Sequence, residues 1–248
     1  MLLSITEKCR MGCSHCMDDA RTENTNFITE EVFRKALDFN FKFDQILLIT
    51  GGEPTEHPKF WEFMKIASEY NLKNKIVIVT TNGMNLSDND IPKVRALNKK
   101  CTFLWQVTSV DKYYPIKIDL SQKIFREPSF SISTSLEKLS PIGRALNHPE
   151  WEFNAIAPDC FNIRSLTRKL QNLETVIESL RVRGKVCTPQ ISFDGQLKLG
   201  ESCLCPPICL ITENEITIIY KIINFRCSKC NHLLNKLPKI YRNAIGEE

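Results

Sequence analysis

Three thiols lie close together near the start of the chain: Cys9, Cys13 and Cys16 in ITEKCRMGCSHCMDDA, spaced C-x3-C-x2-C. Thiolates at this spacing can meet a metal centre from one short loop. A 4Fe–4S cluster normally takes four cysteines, so a three-cysteine loop leaves one iron without a protein ligand and open to a substrate or cofactor. The same thiols also suit a zinc ion with a distant fourth ligand. Spacing alone leaves both chemistries open, as well as no metal at all.

The other cysteines are as unevenly placed. Of eleven, three fall in the first sixteen residues and six between Cys187 and Cys230, with only Cys101 and Cys160 between. Disulfide frameworks belong mostly to small secreted domains. The start, MLLSITEKCR, carries a charge by Glu7 and has no signal-peptide apolar region. Two tight cysteine groups therefore read as metal sites in a reducing, cytoplasmic compartment, with Cys101 and Cys160 as plain buried thiols. No run of about 18 apolar residues predicts a membrane span. A net charge of +4 is too mild to argue for nucleic acid, and leaves it open as a partner.

The elements that must position the thiols follow from apolar periodicity in 248 residues, enough for one sizeable domain and a small appendage. Leu2 to Ile5 is a short apolar run leading straight into the cysteine loop, the pattern of a buried strand. Thr29 caps a helix with Glu30 and Glu31 in its first turn. A second strand, Gln45 to Thr50, ends in Gly51-Gly52-Glu53-Pro54, and Phe60 to Tyr70 returns to helical spacing. A third strand, Ile76 to Val79, ends in Thr80-Thr81-Asn82-Gly83; a helix follows at Ile91 to Asn98. Strands at Thr102 to Val107, ending near Thr108-Ser109, and Ser129 to Ser133 complete the series. Alternating strands and helices predict an α/β fold of parallel βαβ units, whose ligand loops gather at the carboxyl ends of the strands. The cysteine loop, the GGEP turn, the TTNG turn and Ser109 are thus expected on one rim.

Beyond residue 150 the pattern changes. Leu166 to Arg183 reads as an amphipathic helix, Ile191 to Leu199 as a hairpin around Asp194-Gly195, and Glu215 to Ile223 as a strand. The expected division is a first domain over 1–150, a linking helical region over 151–185, and a cysteine-rich metal-supported subdomain over 186–248.

Cys9, Cys13 and Cys16 followed by Gly51-Gly52-Glu53-Pro54 after a second strand resemble the radical S-adenosylmethionine (SAM) enzymes, over most of residues 1–145. The resemblance implies an incomplete (β/α)6-type barrel. It also implies that the three cysteines hold a 4Fe–4S cluster whose fourth iron is chelated by the methionine part of S-adenosylmethionine. Reduction of the cluster would yield a 5′-deoxyadenosyl radical, with an electron donor such as flavodoxin or ferredoxin. By the same resemblance the GGEP turn meets the methionine ammonium through Glu53, and Asn82 and Gly83 lie near the cofactor. Gln106, Thr108 and Ser109 resemble positions that reach its ribose or carboxylate, although Thr108-Ser109-Val110-Asp111 departs from the usual Ser-x-Asp and leaves the facing ambiguous. His15 occupies a place where relatives often pack a ring on the adenine side, with a solvated loop residue an equal reading, and Arg144 resembles an element after the fifth strand, with an exposed arginine the plainer reading. His57, His148 and His232 read as surface histidines.

Cys187, Cys203, Cys205, Cys209, Cys227 and Cys230 resemble the auxiliary-cluster extensions called SPASM or twitch domains, with imperfect spacing. They imply a second 4Fe–4S cluster; zinc suits the same pattern. By family analogy, such an extension points to a peptide or protein substrate, with a nucleotide, tRNA or small metabolite as the alternative. The remaining alternative is a non-enzymatic module with zinc at both cysteine groups.

Overall fold

Each apolar run read as a strand buries alternate side chains. In β2 (Ile46–Thr50), β3 (Ile76–Thr81) and β4 (Thr102–Thr108), the buried positions are Leu47 and Ile49, Val77, Val79 and Thr81, and Phe103, Trp105 and Val107. These side chains form one face of a sheet, as the two-residue strand period requires. The structure, a computed structural model, describes residues 1–16, 18–43, 45–70, 75–109, 113–134, 143–148, 189–199 and 206–224. Its remaining strands are β1 (Leu2–Ser4), β5 (Phe130–Ser133), β6 (Pro189–Ile191), β7 (Gln196–Leu199) and β8 (Pro207–Leu210). The helices are α1 (Glu30–Phe43), α2 (Phe60–Glu69), α3 (Ile91–Asn98) and α4 (Glu215–Asn224).

The eight strands form one sheet in the order β5-β4-β3-β2-β1-β6-β7-β8. Pairing is parallel from β5 through β1 to β6, and antiparallel only at β6–β7 and β7–β8. The fold is therefore α/β with a mostly parallel sheet, and the carboxyl ends of β1 to β5 share one rim. Parallel neighbours need crossovers, and α1, α2 and α3 supply three of them.

The helices line the buried face. Phe33, Ala36 and Leu37 of α1 and Phe63 and Met64 of α2 join the core, where the Phe33 and Phe63 rings stack at 4.5 Å. Burial of each large side chain contributes about 1.5–3 kcal/mol. Trp105 lies at the centre, stacked on Phe130 at 5.5 Å with the planes 5° apart. On the opposite face, Leu104, Gln106 and Ser131 remain exposed. Thr29 caps α1 as expected, accepting the Val32 N–H at 3.3 Å.

The hairpin forms at the expected turn: Gly195 has φ +82°, and Asp194 Oδ1 accepts from Ser192 Oγ (2.6 Å) and Gln196 N–H (3.2 Å). Its first strand, β6, pairs with the free edge of β1, so the described part of the cysteine-rich segment is built onto the main sheet. Ile191, Leu197 and Ile211 join the same core.

One element differs in type. Glu215 to Ile223, expected as a strand from its isoleucines and threonine, lies in α4. Ile218, Ile219 and Ile222 occupy one helical face and are buried, whereas Ile216 is 77% exposed. Asn214 caps the helix by accepting the Ile216 N–H at 2.9 Å. Here the apolar stripe and the cap outweigh β-branched composition. The expected helix at Leu166 to Arg183 lies outside the described residues.

Candidate active site at the carboxyl ends of the strands

The chain leaves β1 at Ser4 and enters the cysteine loop through a narrow neck. Cys9 N–H donates to Arg21 O (3.0 Å) and Arg21 N–H to Glu7 O (3.3 Å), closing the loop at its base. Inside it, Gly12 at φ +68° supplies a left-handed turn, and Cys16 N–H donates to Cys13 O at 3.3 Å. Cys9 is buried and Cys13 and Cys16 half-buried, in a small cluster with Met11, Ala20, Met84, Tyr114 and Ile118. Burial pushes the Cys9 thiol up to about 11 and Cys13 up to about 12, the neighbouring thiols adding to the latter. Two donors already face the sulfurs: Ala20 N–H lies 3.4 Å from Cys16 Sγ, and Asn82 Nδ2 3.8 Å from Cys9 Sγ. Among the described residues, no three His, Cys, Asp or Glu side chains converge on a single-ion site.

The GGEP turn runs against this neck. Gly52 N–H donates to Thr6 O and Glu53 N–H to Lys8 O, both at 2.7 Å. A Cβ on Gly51 would stand 2.5 Å from Thr6 O, and one on Gly52 2.4 Å from Lys8 O. The close approach that needs these glycines is therefore between two segments of the chain. Pro54 begins a short 3-10 turn, Pro54–Glu56.

Glu53 turns inward and is 1% exposed. Its Oε1 accepts from Thr55 N–H (3.0 Å), from the Thr55 hydroxyl and from Thr81 Oγ1 (2.6 Å), and its Oε2 from Asn82 N–H (2.7 Å). Burial pushes this carboxyl up, while the bonds from Thr55, Thr81 and Asn82 pull it back. Among the described residues no cation is hydrogen-bonded to it. Asn82 thus links Glu53 to Cys9, and its Oδ1 accepts the Met84 N–H at 2.8 Å. A second tie joins the same segments, in which Glu56 Oε1 accepts the Arg10 N–H at 2.9 Å and Asn85 meets both Arg10 and Thr55.

At the end of β4 the facing is resolved. Thr108 continues the face of Gln106, and Ser109, 5% exposed, donates its N–H to Ser133 O. Thr108 shares a hydrogen bond with Tyr114, whose phenol burial pushes upward. Tyr114 stacks on His15 at 5.6 Å, with Tyr113 tilted against the same ring at 5.0 Å. Burial, aided by the Arg144 charge, pulls the His15 imidazole down to about 4.

Arg144 is no exposed arginine. Its Nε donates to Cys13 O (2.8 Å) and a terminal nitrogen to Ala20 O (2.7 Å), so it holds the cysteine loop. His57, read as a surface residue, is buried: Nε2 donates to Ile28 O at 3.1 Å, and Nδ1 accepts the Lys59 N–H at 3.0 Å. Tyr114 packs on the thiol cluster from outside any motif, so no sequence signal marks it. His148 is half-buried, and His232 lies outside the described residues.

Cys101 packs half-buried against the main core, and Cys209 on β8 sits within it at 7% exposure. Cys160, Cys187, Cys203, Cys205, Cys227 and Cys230 lie outside the described residues, so the expected second metal centre does too.

A mostly parallel sheet whose loops meet at the strand carboxyl ends, with three thiols and a buried carboxylate among them, defines the class: an α/β protein with its candidate site on that rim. The Radical SAM superfamily family model matches residues 3–141. GTP 3′,8-cyclase of Haemophilus ducreyi is 24% identical over 99% of this chain and 77% of its own length. The tungsten-containing aldehyde ferredoxin oxidoreductase cofactor-modifying protein of Pyrococcus furiosus is 27% identical over 39% of this chain and 27% of its own. Among solved structures, BtrN in complex with AdoMet and 2-DOIA superposes with a TM-score of 0.56 at 14% identity, over 98% of this chain and 88% of that one, a likeness of fold. The chain belongs to the radical SAM superfamily. It is a radical SAM enzyme, and that membership implies a 4Fe–4S cluster and S-adenosylmethionine. Among the described residues, no helix is long and apolar enough to cross a membrane.

Proposed function

We propose that Cys9, Cys13 and Cys16 hold the 4Fe–4S cluster, leaving one iron to S-adenosylmethionine, and that Gly51, Gly52, Glu53, Pro54, Asn82, Thr108 and Ser109 wall the cofactor site. The supporting observation is Asn82, whose backbone N–H meets the buried Glu53 carboxylate while its side chain meets Cys9 Sγ, so that the carboxylate adjoins the cysteine loop. A cubane takes each thiolate at a different iron, which suits three sulfurs that do not meet at one point. N–H groups facing Cys9 and Cys16 are the hydrogen bonds by which a protein tunes cluster sulfurs. Glu53 is a buried carboxyl group that accepts from four neutral donors, an arrangement that a cation such as the cofactor's ammonium would complete.

When bound, the cluster and S-adenosylmethionine would supply the radical chemistry for hydrogen abstraction from a substrate. The residues of this chain prepare the place for that step. Gly51 and Gly52 let the turn seat against the loop neck, Glu53 fixes the Thr81–Asn82 turn, and Tyr114 with His15 covers the thiols. The polar face of β3 and β4, with Thr80 Oγ1 3.4 Å from Gln106 Oε1, is left for substrate.

For the substrate we favour a nucleotide or other small molecule over a peptide. The GTP 3′,8-cyclases align over 99% of the chain, whereas the peptide reading rests on the C-terminal cysteines, mostly outside the described residues. Of those, Cys209 faces the core, so ligands for a second cluster or zinc are sought among the other five. Anaerobic assay of 5′-deoxyadenosine with panels of nucleotides, small polar metabolites and peptides tests this. Stimulation by a nucleotide or metabolite is expected; stimulation by peptides alone overturns the preference.

A further inference from the structure

We propose that Arg144 is a positioning residue that clasps the cysteine loop shut and so governs how firmly the cluster is kept. This rests on the cluster reading above, but the clasp itself is a feature of the protein alone. Residues 143–148 follow β5 by more than nine positions and return to the far side of the loop, a contact no local spacing dictates. There the Arg144 backbone N–H donates to Cys16 O at 2.9 Å. Its guanidinium Nε donates to Cys13 O at 2.8 Å, and its Nη1 to Ala20 O at 2.7 Å and Asp19 Oδ1 at 3.3 Å. One residue thus holds both ligand-bearing turns, Cys13 and Cys16, by their carbonyl oxygens. The side chain is 20% exposed, so these bonds are only partly screened by water.

Asp19 explains the shape of the far turn. It has φ +49°, a left-handed conformation that an aspartate tolerates only at a cost. That bend is held by carboxylate contacts to Arg21 (2.8 Å) and Arg144 (3.3 Å). It places Ala20 so that its carbonyl meets Arg144 while its N–H faces Cys16 Sγ at 3.4 Å. The planar fork of arginine can serve two carbonyls and a carboxylate at once, which the single ammonium of lysine cannot reproduce. Its guanidinium, bound to Cys13 O and Ala20 O, sets a fixed positive charge beside the ligand loop, which also stabilises a reduced and more negative cluster.

The test compares full-length wild type, Arg144→Lys and Arg144→Ala, with circular dichroism and thermal unfolding to establish folding. In the metal-free proteins, alkylation of Cys9, Cys13 and Cys16 is followed by mass spectrometry. After anaerobic reconstitution, loss of cluster colour to an iron chelator and the cluster midpoint potential are measured. The clasp predicts alkylation and cluster loss about tenfold or more faster in Arg144→Ala, the range seen when groups that orient metal ligands are removed, with Arg144→Lys between. It also predicts a more negative potential in Arg144→Ala but not in Arg144→Lys. Folded Arg144→Ala with wild-type alkylation and wild-type cluster retention overturns the clasp. Wild type that binds no iron overturns the cluster reading instead, and the clasp is then decided by alkylation alone.

Discussion

Replacing Gly52 by alanine would place a methyl carbon 2.4 Å from Lys8 O, 2.7 Å from Lys8 C and 2.8 Å from Glu7 C. All three are backbone atoms, so no side-chain rotation relieves the clash and the neck of the cysteine loop must move. The bonds that join the two segments, Gly52 N–H to Thr6 O and Glu53 N–H to Lys8 O, are both 2.7 Å and would be lost. At about 1 kcal/mol each, with about 1–3 kcal/mol for overpacking, Gly52→Ala should destabilise by about 3–5 kcal/mol. For a chain of this length that lowers Tm by about 6–20 °C. Gly12→Ala is the comparison: Gly12 has φ +68° but only Pro115 Cγ nearby, at 4.0 Å. Alanine there meets only the left-handed backbone penalty, about 1–2 kcal/mol. Urea and thermal unfolding of the metal-free proteins, followed by circular dichroism, rank the two. A Gly52→Ala protein as stable as wild type, or less affected than Gly12→Ala, refutes the seating of the two loops described above.

Other perturbations separate the remaining contributions. Burial holds His57 below its ordinary value, so as pH falls through about 6.5 the unfolded chain gains a proton that the folded one refuses. Stability from this group is complete above that pH and is lost below it; the urea midpoint of wild type should fall more between pH 7.5 and 5.5 than that of His57→Gln, and equal slopes would refute this. Glu53→Gln sets an amide NH2 against at least one of four donors, and should cost about 1–3 kcal/mol; an unchanged urea midpoint would show that the carboxylate does not hold the Asn82 turn. Ile218→Asp should unfold the α4 packing at a cost above about 2 kcal/mol, while Ile216→Asp, at a 77% exposed position, should leave Tm nearly unchanged. Equal effects would contradict the helix.

Much of the architecture was legible because local rules and tertiary needs agreed. The apolar runs at Leu2, Ile46, Ile76, Thr102 and Phe130 become strands in one parallel sheet, and the turns after them share a rim. Glu215 to Asn224 shows the limit: isoleucine-rich composition favours a strand, yet the spacing of Ile218, Ile219 and Ile222 and the Asn214 cap were the better signal. The pairing of β6 with β1 joins residues nearly 190 positions apart, as in Leu2 with Gln190, and no local pattern encodes it. The spacing of Cys9, Cys13 and Cys16 marks them as candidate ligands, whereas the places of Tyr114 and Asp19 and the grip of Arg144 depend on how distant segments return to the loop. His57 was misjudged because a histidine's burial follows from its backbone partners, Ile28 and Lys59, which sequence spacing does not announce. The glycines of the GGEP turn stand against the Thr6 and Lys8 carbonyls, a contact between distant segments that no local spacing encodes.

The central claim, that the loop of Cys9, Cys13 and Cys16 is the catalytic centre, is tested most directly by reductive cleavage of S-adenosylmethionine. Wild type and Cys13→Ala, both reconstituted anaerobically and reduced with dithionite, are assayed for 5′-deoxyadenosine. The account predicts product from wild type and none above background from Cys13→Ala, together with loss of about four irons per chain, one cluster's worth. Deoxyadenosine formation retained in Cys13→Ala would contradict it.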